Sequence, residues 1–321
     1  MSFKKRLILL FVPLLVFPLG NAEGKREPFP IKPVTILCGY SAGGSTDIQI
    51  RTVAPYLQKY LGQPVIVENL PGAAGTLAFN KVFSSEPDGY LILVANLQAM
   101  ILGEYFRETA RYRTKEMTFI YNLVKESNIL VTHPELYGSF REFAEAAKIK
   151  KLKVGVAGKW DPTHVFTALL EQTIKVKFNV IPYEGGGPAV TSLMGKHIDA
   201  VMTIGSTAYD KVRAGQIRAL LVMEKARTAQ YPDVPVLADL GYEAPTILYN
   251  YGVYGPPKIP QDRLKILEAA FAKAVRDPGY IEKTKKMNIE VYPLSAQQFR
   301  KIYEEQYPIT LKFAEILKRG E

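Results

Sequence analysis

The sequence predicts an α/β protein of two domains, each a mostly parallel sheet flanked by helices. Short apolar runs rich in β-branched residues alternate with amphipathic segments along most of the 321-residue chain. This pattern is typical of parallel strands joined by helices. The order strand, small-residue loop, helix start occurs at 34–47 and again at 152–164, so each half predicts its own domain. The length also exceeds what one hydrophobic core usually serves.

The individual elements follow from this alternation and from turn signals such as Glu86-Pro-Asp-Gly89. In the first half we expect strands at 34–38, 64–68 and 90–95, and helices at 46–61 and around 77–82. In the second half we expect strands at 152–157, 178–181, 200–204 and 217–223, and helices at 164–173 and 189–194. A strand at 250–254 and helices near 261–276 and 295–318 follow a proline-containing crossing segment. We place domain 1 at 23–123 and 248–321, and domain 2 at 124–247.

Residues 1–22 predict a signal peptide. Lys4, Lys5 and Arg6 form a basic start, residues 7–19 an apolar stretch, and the small residues before position 23 fit a cleavage site after Ala22. The apolar stretch is short for a transmembrane helix. We therefore expect an exported protein.

The charge and the few cysteines and histidines exclude several classes of function. The formal net charge is +10, but Lys and Arg are scattered rather than interleaved with aromatics, which argues against a nucleic-acid partner. Cys38 is the only cysteine, so no intrachain disulfide is expected. The histidines at 133, 164 and 197 lack metal-ligand spacing, and we expect neither a metal nor a cofactor.

The loop after the first predicted strand carries the strongest functional signal. Small residues at 39–44 are followed by Ser45, Thr46 and Asp47, which are helix-capping types. Such a turn directs free backbone N–H groups and the positive end of a helix dipole at one spot, where an anion binds. Two domains facing each other through this motif would enclose an anionic solute. Asp47 either caps its helix or contacts the ligand.

Two enzymatic readings of the same loop are weaker. Gly39-Tyr-Ser41-Ala-Gly43 matches the G-x-S-x-G nucleophile elbow, but too few residues precede it for that fold and no histidine has a triad context. A secreted serine hydrolase using Ser41 remains an alternative. The loop also resembles a P-loop, yet it lacks the lysine that contacts the β- and γ-phosphates.

Further stretches, in order along nearly all of the chain after residue 22, indicate a family. They are Pro33-Val-Thr-Ile with Gly43-Gly44 and Asp47, then 61–75, 87–90, 182–189, 195–199, 231–235 and 252–257. Together they resemble the substrate-binding proteins of tripartite tricarboxylate transporters, the Bug or TctC type. Each motif alone is weak, whereas the ordered set is highly specific.

The resemblance implies a periplasmic-binding-protein-like (Venus flytrap) receptor in the periplasm. As a monomer without enzymatic activity, it would close on a small carboxylate and deliver it to a tripartite tricarboxylate-type membrane transporter. A sensor that presents its ligand to a signalling protein is the other possibility. The positions carried over as ligand-binding are Tyr40, Ser41, Gly44, Thr46, Asp47, Gly158, Lys159, Asp161, Thr163, His164, Tyr183, Gly185 and Gly186.

The chain departs from the family pattern in the second-domain loop. That loop usually reads Gly-x-Gly-Ser before the histidine, whereas here Trp160 replaces the second glycine and Asp161 the serine. A carboxylate at this position would repel an anionic ligand. We therefore expect either that Asp161 points away or that the ligand carries a hydrogen-bond donor. Lys159 would offset the charge.

Overall fold

The computed structural model of the chain describes residues 28–242 and 249–320. The predicted signal peptide, with its cleavage site after Ala22, lies outside the described residues. Within the described ranges, no helix combines the length and the apolar character needed to cross a membrane.

Two sheets flanked by helices form the framework. The strands are β1 (Val34–Cys38), β2 (Val65–Asn69), β3 (Leu91–Asn96), β4 (Thr118–Glu126), β5 (Asn128–Thr132), β6 (Lys153–Val156), β7 (Asn179–Pro182), β8 (Ala200–Ile204), β9 (Arg218–Val222), β10 (Tyr249–Gly255) and β11 (Glu290–Ser295). The helices are α1 (Ser45–Leu61), α2 (Thr76–Phe83), α3 (Leu97–Phe106), α4 (Phe140–Ile149), α5 (Pro162–Ile174), α6 (Gly186–Met194), α7 (Gly205–Arg213), α8 (Gln261–Ala274), α9 (Pro278–Lys286) and α10 (Ala296–Gly320). The predicted α/β class is confirmed, although the prediction omitted α3, α4, α7, α9, β4, β5 and β11.

The first sheet has the order β11–β4–β10–β3–β1–β2. Strand β1 pairs in parallel with β2 and β3, as strands joined by crossover helices do. Strand β10 runs antiparallel to β3 and β4, and β11 runs antiparallel to β4. The sheet is therefore mixed, with β1 to β4 running in one direction and β10 and β11 in the other.

The second sheet has the order β7–β6–β8–β5–β9. Strand β6 pairs in parallel with β7 and β8, whereas β5 runs antiparallel to β8 and β9. All strands except β5 therefore share one direction. The βαβ units of the two sheets leave their carboxyl-end loops, where ligands of open α/β sheets bind, available for a site.

The two sheets define two lobes. The first lobe consists of the first sheet with α1–α3 and α8–α10, and the second lobe of the second sheet with α4–α7. The chain crosses between them at Ser127, since β4 ends at Glu126 and β5 begins at Asn128, and it returns before β10. The domain boundaries placed from the sequence stay a prediction.

Strand β1 and helix α1 show how local sequence positions the first loop. Helix α1 follows Gly44 and ends at Gly62, whose left-handed φ of 69° lets its N–H reach the carbonyl of Gln58. The helix continues through Pro55. The loop at 39–44 is thus fixed at the carboxyl end of a buried strand.

Apolar contacts also join the lobes. Leu102 of α3 and Ala314 and Leu317 of α10 lie in one buried cluster with Val165 and Ala168 of α5. Because α5 begins at the second-domain loop singled out above, this cluster fixes the position of that loop relative to the first lobe.

Candidate functional site

A small cavity lies between the lobes, and we call it the inner cavity. Its volume is about 20 Å³, which is space on the order of one water molecule. Its lining residues are Tyr40, Gly44, Ser45, Thr46, Asn96, Ala157, Asp161, Thr163, Gly186, Thr203, Ile204, Thr207, Tyr249 and Tyr251. Six of the positions singled out from the sequence line it, and they come from both lobes.

Five helix N-termini converge on the inner cavity. Residues at the starts of α1, α3, α5, α6 and α7 all line it. Asn96 caps α3 by accepting the N–H of Ala99 at 3.0 Å, and Asp161 caps α5. Helices α1, α6 and α7 have no cap from the side chain of their N-cap residue, although in α7 the N–H of Ser206 donates to Glu126 Oε2 at 2.9 Å. No lysine or arginine is among the lining residues, so an anion there would be held by N–H groups and helix dipoles.

The uncapped ends of α1 and α6 face each other from opposite lobes. A Cβ built on Gly44 would lie 3.7 Å from the backbone nitrogen of Gly186 and 3.9 Å from that of Gly187. Each helix end carries a partial positive charge. The two partial positive charges therefore lie next to the same small volume, the inner cavity.

Two buried threonines add unpaired hydroxyls. Thr203, at the end of β8, and Thr207, in the first turn of α7, are 1% and 3% exposed. Neither hydroxyl has a hydrogen-bond partner among the described residues. Buried hydroxyls without partners are unfavourable, so both are free to bond a ligand in the inner cavity.

A hydrogen bond between the lobes closes one side of the cavity. The Tyr40 hydroxyl donates to Asp161 Oδ2 at 2.8 Å, and Asp161 Oδ1 accepts the backbone N–H and the hydroxyl of Thr163 at 2.9 and 2.8 Å. Burial raises the pKa of Asp161, while these hydrogen bonds oppose that rise. The carboxylate that stands where the family pattern has serine thus acts as a helix cap, a role that both residue types serve.

Asp47 is buried outside the inner cavity. Its carboxylate accepts the N–H of Gly43 at 3.0 Å, the guanidinium of Arg51 at 2.9 Å and the amide of Asn69 at 3.0 Å. Burial raises the pKa of Asp47, but these three donors outweigh it, and the pKa lies below its usual value. Asp47 therefore stabilises the loop at 39–44 and does not line the inner cavity.

Three more of the residues predicted to bind ligand, Ser41, Gly185 and His164, make contacts within or between loops. The N–H of Ser41 donates to the carbonyl of Glu184 across the lobes at 3.0 Å, and Gly185 lies against the same loop. His164 Nδ1 accepts the N–H of Trp160 at 3.0 Å. Within the described ranges, no hydrogen bond joins the Ser41 hydroxyl to a histidine or a carboxylate, so the geometry of a serine nucleophile is not seen.

A second cavity adjoins the first at Tyr40, and we call it the outer cavity. Its volume is about 180 Å³. Its lining residues are Gly39, Tyr40, Gly72, Ala73, Ala74, Arg107, Gly158, Lys159, Trp160, Tyr183 and Glu184. The remaining residues that the sequence predicts to bind ligand are Gly158, Lys159 and Tyr183, and they line the outer cavity.

Trp160 forms one wall of the outer cavity. Its ring stacks on Phe106 of the first lobe, with centroids 5.5 Å apart and planes 10° from parallel. Its φ is +58°, a left-handed conformation that the glycine of the family pattern adopts without strain. The loop therefore keeps the glycine-type turn while it gains an aromatic contact between the lobes.

Several residues that line the inner cavity were not expected from the sequence. Thr203 and Thr207 lie on either side of Gly205, where β8 ends and α7 begins. This is a third strand-to-helix junction made of small residues, and its pattern is visible in the sequence. Asn96 ends β3 as a helix-capping type, a weaker signal of the same kind. Tyr249 and Tyr251 lie on β10, which returns from the second lobe, and no local pattern marks them.

Another cavity, of about 640 Å³, lies beside the crossing and is a poorer candidate. Its wall mixes charges of both signs, including Lys125, Glu224, Arg227 and Glu290. No cluster of helix N-termini faces it. We therefore place the functional site at the inner and outer cavities.

Comparison with known proteins identifies relatives over most of the chain. The family model described as tripartite tricarboxylate transporter family receptor matches residues 49–317. A UPF0065 protein in the gbd 5′ region of Cupriavidus necator is 32% identical over 287 residues, covering 88% of this chain and 87% of that protein.

Solved structures share the fold. A periplasmic transporter superposes with a TM-score of 0.85 at 25% identity, covering 92% of this chain and 99% of the other. MatC from Rhodopseudomonas palustris, solved with bound malate, superposes with a TM-score of 0.82 at 24% identity, covering 90% of this chain and 100% of that one. The two-lobed architecture is therefore that of periplasmic binding proteins.

Proposed function

The chain belongs to the tripartite tricarboxylate transporter receptor family, and from this premise we propose that it captures a small carboxylate between its lobes in the periplasm. It then delivers the carboxylate to a membrane transporter of the tripartite tricarboxylate type. It acts as a monomeric receptor rather than as an enzyme.

The observation that carries this proposal is the convergence of five helix N-termini on the inner cavity. Three of these termini, on α1, α6 and α7, lack an N-cap side chain, but Glu126 accepts an N–H at the start of α7, so the ends of α1 and α6 are the open ones. The unpaired hydroxyls of Thr203 and Thr207 lie beside them. A carboxylate supplies acceptors for all of these donors and a charge that the helix dipoles favour. Bound malate in the structural relative MatC supports the same class of ligand.

Calorimetry on paired ligands tests the proposal. The full chain is exported, purified from the periplasm, freed of ligand and titrated with mono-, di- and tricarboxylates, each compared with its uncharged amide. We expect at least one acid to bind and its amide to fail. At 100 times its dissociation constant, that acid should stabilise the fold by about 2.7 kcal/mol. An amide that binds as tightly as its acid would contradict an anion site.

Threonine variants locate the binding. Thr203→Val or Thr207→Val should weaken the binding of that acid by about 1.5–3 kcal/mol, because each removes a hydrogen bond to a charged group. Thr310→Val is the matched control, since Thr310 is equally buried and its hydroxyl also lacks a partner, but it lies on α10 away from both cavities. Unchanged affinity in both site variants would place the ligand elsewhere. Uptake of the labelled acid by cells should also be lost when the receptor gene is deleted.

A further inference from the structure

We propose that the capture of a carboxylate by this chain is coupled to the uptake of a proton from the solvent, and that the buried carboxylate of Glu126 takes that proton. The inference rests on the proposed function, because it takes the anion to lie in the inner cavity. Glu126 does not line that cavity. It is therefore a positioning residue, which acts on the ligand through the helices that do.

Glu126 joins the two lobes beside helix ends that line the inner cavity. Its Oε1 accepts the amide N–H of Gln49 from α1 at 2.7 Å and the hydroxyl of Ser206 from α7 at 2.8 Å, and its Oε2 accepts the backbone N–H of Ser206 at 2.9 Å. Ser45, one helical turn before Gln49, and Thr207, the neighbour of Ser206, both line the inner cavity. One turn of α1 and the first residues of α7 thus separate this carboxylate from the anion.

No cation neutralises the carboxylate of Glu126. Within residues 28–242 and 249–320, no lysine, arginine or histidine forms an ion pair with it, and its hydrogen-bond donors are neutral groups. Burial, opposed by these hydrogen bonds, raises its pKa to about 7. A second negative charge nearby disfavours the ionised form of a buried acid. An anion in the inner cavity should therefore raise this pKa further, and the carboxylate then binds a proton.

The neighbours of Glu126 can accommodate the protonated form. A proton on Oε1 turns that oxygen into an O–H donor, and the Ser206 hydroxyl rotates to accept from it. Gln49 Oε1 is a second acceptor within the same contact, because it is buried and has no partner among the described residues. The added proton therefore finds an acceptor without a shift of either helix.

Tyrosines and charged residues surround Glu126 on its other sides. The tyrosines on which its charge acts, or with which it shares a cavity wall, are Tyr231, Tyr249, Tyr251 and Tyr280. Burial raises the pKa of each of them above its usual value, so they stay neutral at pH 8. The charged residues that line the cavity of about 640 Å³ together with Glu126 are Lys125, Glu224, Arg227, Lys285 and Glu290.

Two other acids compete for the proton. Burial raises the pKa of Glu224 to about 7 as well, but Glu224 lies outside the inner cavity. Asp161 lines the inner cavity, and burial raises its pKa. Three hydrogen bonds from Tyr40 and Thr163 favour the ionised form of Asp161, however. Both acids are therefore tested beside Glu126.

Calorimetry in different buffers counts the protons. The full chain, purified from the periplasm and freed of ligand, is titrated at pH 8 with butyrate, succinate and adipate in HEPES and in Tris, whose ionisation enthalpies differ. Like charges on the order of 10 Å apart inside a protein shift a pKa by about one unit. Such a shift at Glu126 means an uptake of about 0.4 proton per ligand at pH 8. The affinity should also fall by about fivefold between pH 7 and pH 9.

Variants assign the proton to one carboxylate. Glu126→Gln should still bind the acid but show neither proton uptake nor the fall in affinity with pH, because glutamine does not titrate. Glu224→Gln is the matched control, since Glu224 has a similarly raised pKa, and it should take up as many protons as the unmodified protein. The double variant Glu224→Gln/Asp161→Asn leaves Glu126 unaltered. Its proton count, whatever its affinity, should stay that of the unmodified protein.

The outcomes separate proton coupling from the receptor function. An acid that binds the unmodified protein without proton uptake overturns the coupling and leaves the carboxylate receptor standing. Uptake that persists in Glu126→Gln, or that is lost in the double variant, assigns the proton to another residue and overturns the role of Glu126. Failure of every acid to bind overturns the receptor proposal, and the coupling with it.

Discussion

Replacing Glu126 with glutamine should make the protein more stable at pH 8 and leave its stability at pH 5 nearly unchanged. Glu126 is the last residue of β4, next to the crossing between the lobes. Its carboxylate accepts the amide of Gln49 in the first lobe at 2.7 Å, and the backbone N–H and hydroxyl of Ser206 in the second lobe at 2.9 and 2.8 Å. Burial, opposed by these bonds, raises its pKa from 4.5 to about 7.

The sign and size of the effect follow from proton linkage. Between pH 4.5 and 7 the folded protein keeps the proton that the unfolded chain releases, so a rise in pH through this range lowers stability. A shift of 2.5 pH units corresponds to about 3 kcal/mol. Glutamine mimics the protonated form at every pH. Its new N–H donors have acceptors in the Ser206 hydroxyl and in Gln49 Oε1, which has no partner in the structure.

Urea unfolding of the protein and of Glu126→Gln at pH 5 and pH 8 measures the effect. The free-energy difference between the two proteins should shift by about 3 kcal/mol in favour of the variant over this range. Glu304→Gln, at an exposed position on α10, is the control and should show the pH profile of the unmodified protein. A variant that is equally destabilised at both pH values would show that Glu126 is ionised throughout, and it would refute the reasoning.

Three further predictions concern closure and the second-domain loop. Gly158→Ala places a Cβ 2.7 Å from the Cβ of Ala74 in the opposite lobe and should weaken carboxylate binding in calorimetry by about 1–3 kcal/mol. Adding Ala74→Gly should restore binding, and full binding by the single variant would contradict a close approach of the lobes. Trp160 should shift its emission to the blue when ligand closes the lobes, because closure forms the stack on Phe106; a silent spectrum during confirmed binding would place the loop outside the site. Asp161→Ala should lose about 1 kcal/mol of stability with the α5 cap, whereas Asp161→Ser should lose less in thermal unfolding, and equal losses would exclude the capping role.

Local sequence was sufficient to predict the elements that carry their own signal. Strand 34–38 and the helix ending before Gly62 match β1 and α1 closely, because a β-branched run, a small-residue loop and a terminal glycine each act within a few residues. Helix α9 and strand β11 were missed. In β11 the apolar pattern is broken by Pro293, and its pairing with β4 is shifted between Val291 and Leu294.

Local sequence is limited in the same way as a guide to the candidate site. Capping types after a strand pointed to the loops of α1 and α5, whereas the roles of individual side chains depend on contacts across the fold. The carboxylate of Asp47 accepts the amide of Asn69, and that of Asp161 accepts the hydroxyl of Tyr40 in the other lobe. Arg107 directly follows α3, a helix that was not expected from the sequence, and it donates to the carbonyl of Lys159 far along the chain. Such partners carry no mark in the local pattern.

The opposed helix ends explain why closure should depend on the ligand. The N-termini of α1 and α6 belong to different lobes, and Gly187 is so close to the first loop that a Cβ on it would lie 3.0 Å from the carbonyl oxygen of Ala42. Each terminus carries roughly half a positive charge, so the closed lobes bring like charges together. An anion between them converts this repulsion into attraction on both sides. Gly44 and Gly185 leave these helix ends without a capping side chain, and Gly187 permits the close approach, so the binding of charge and the movement of the lobes are coupled at one point.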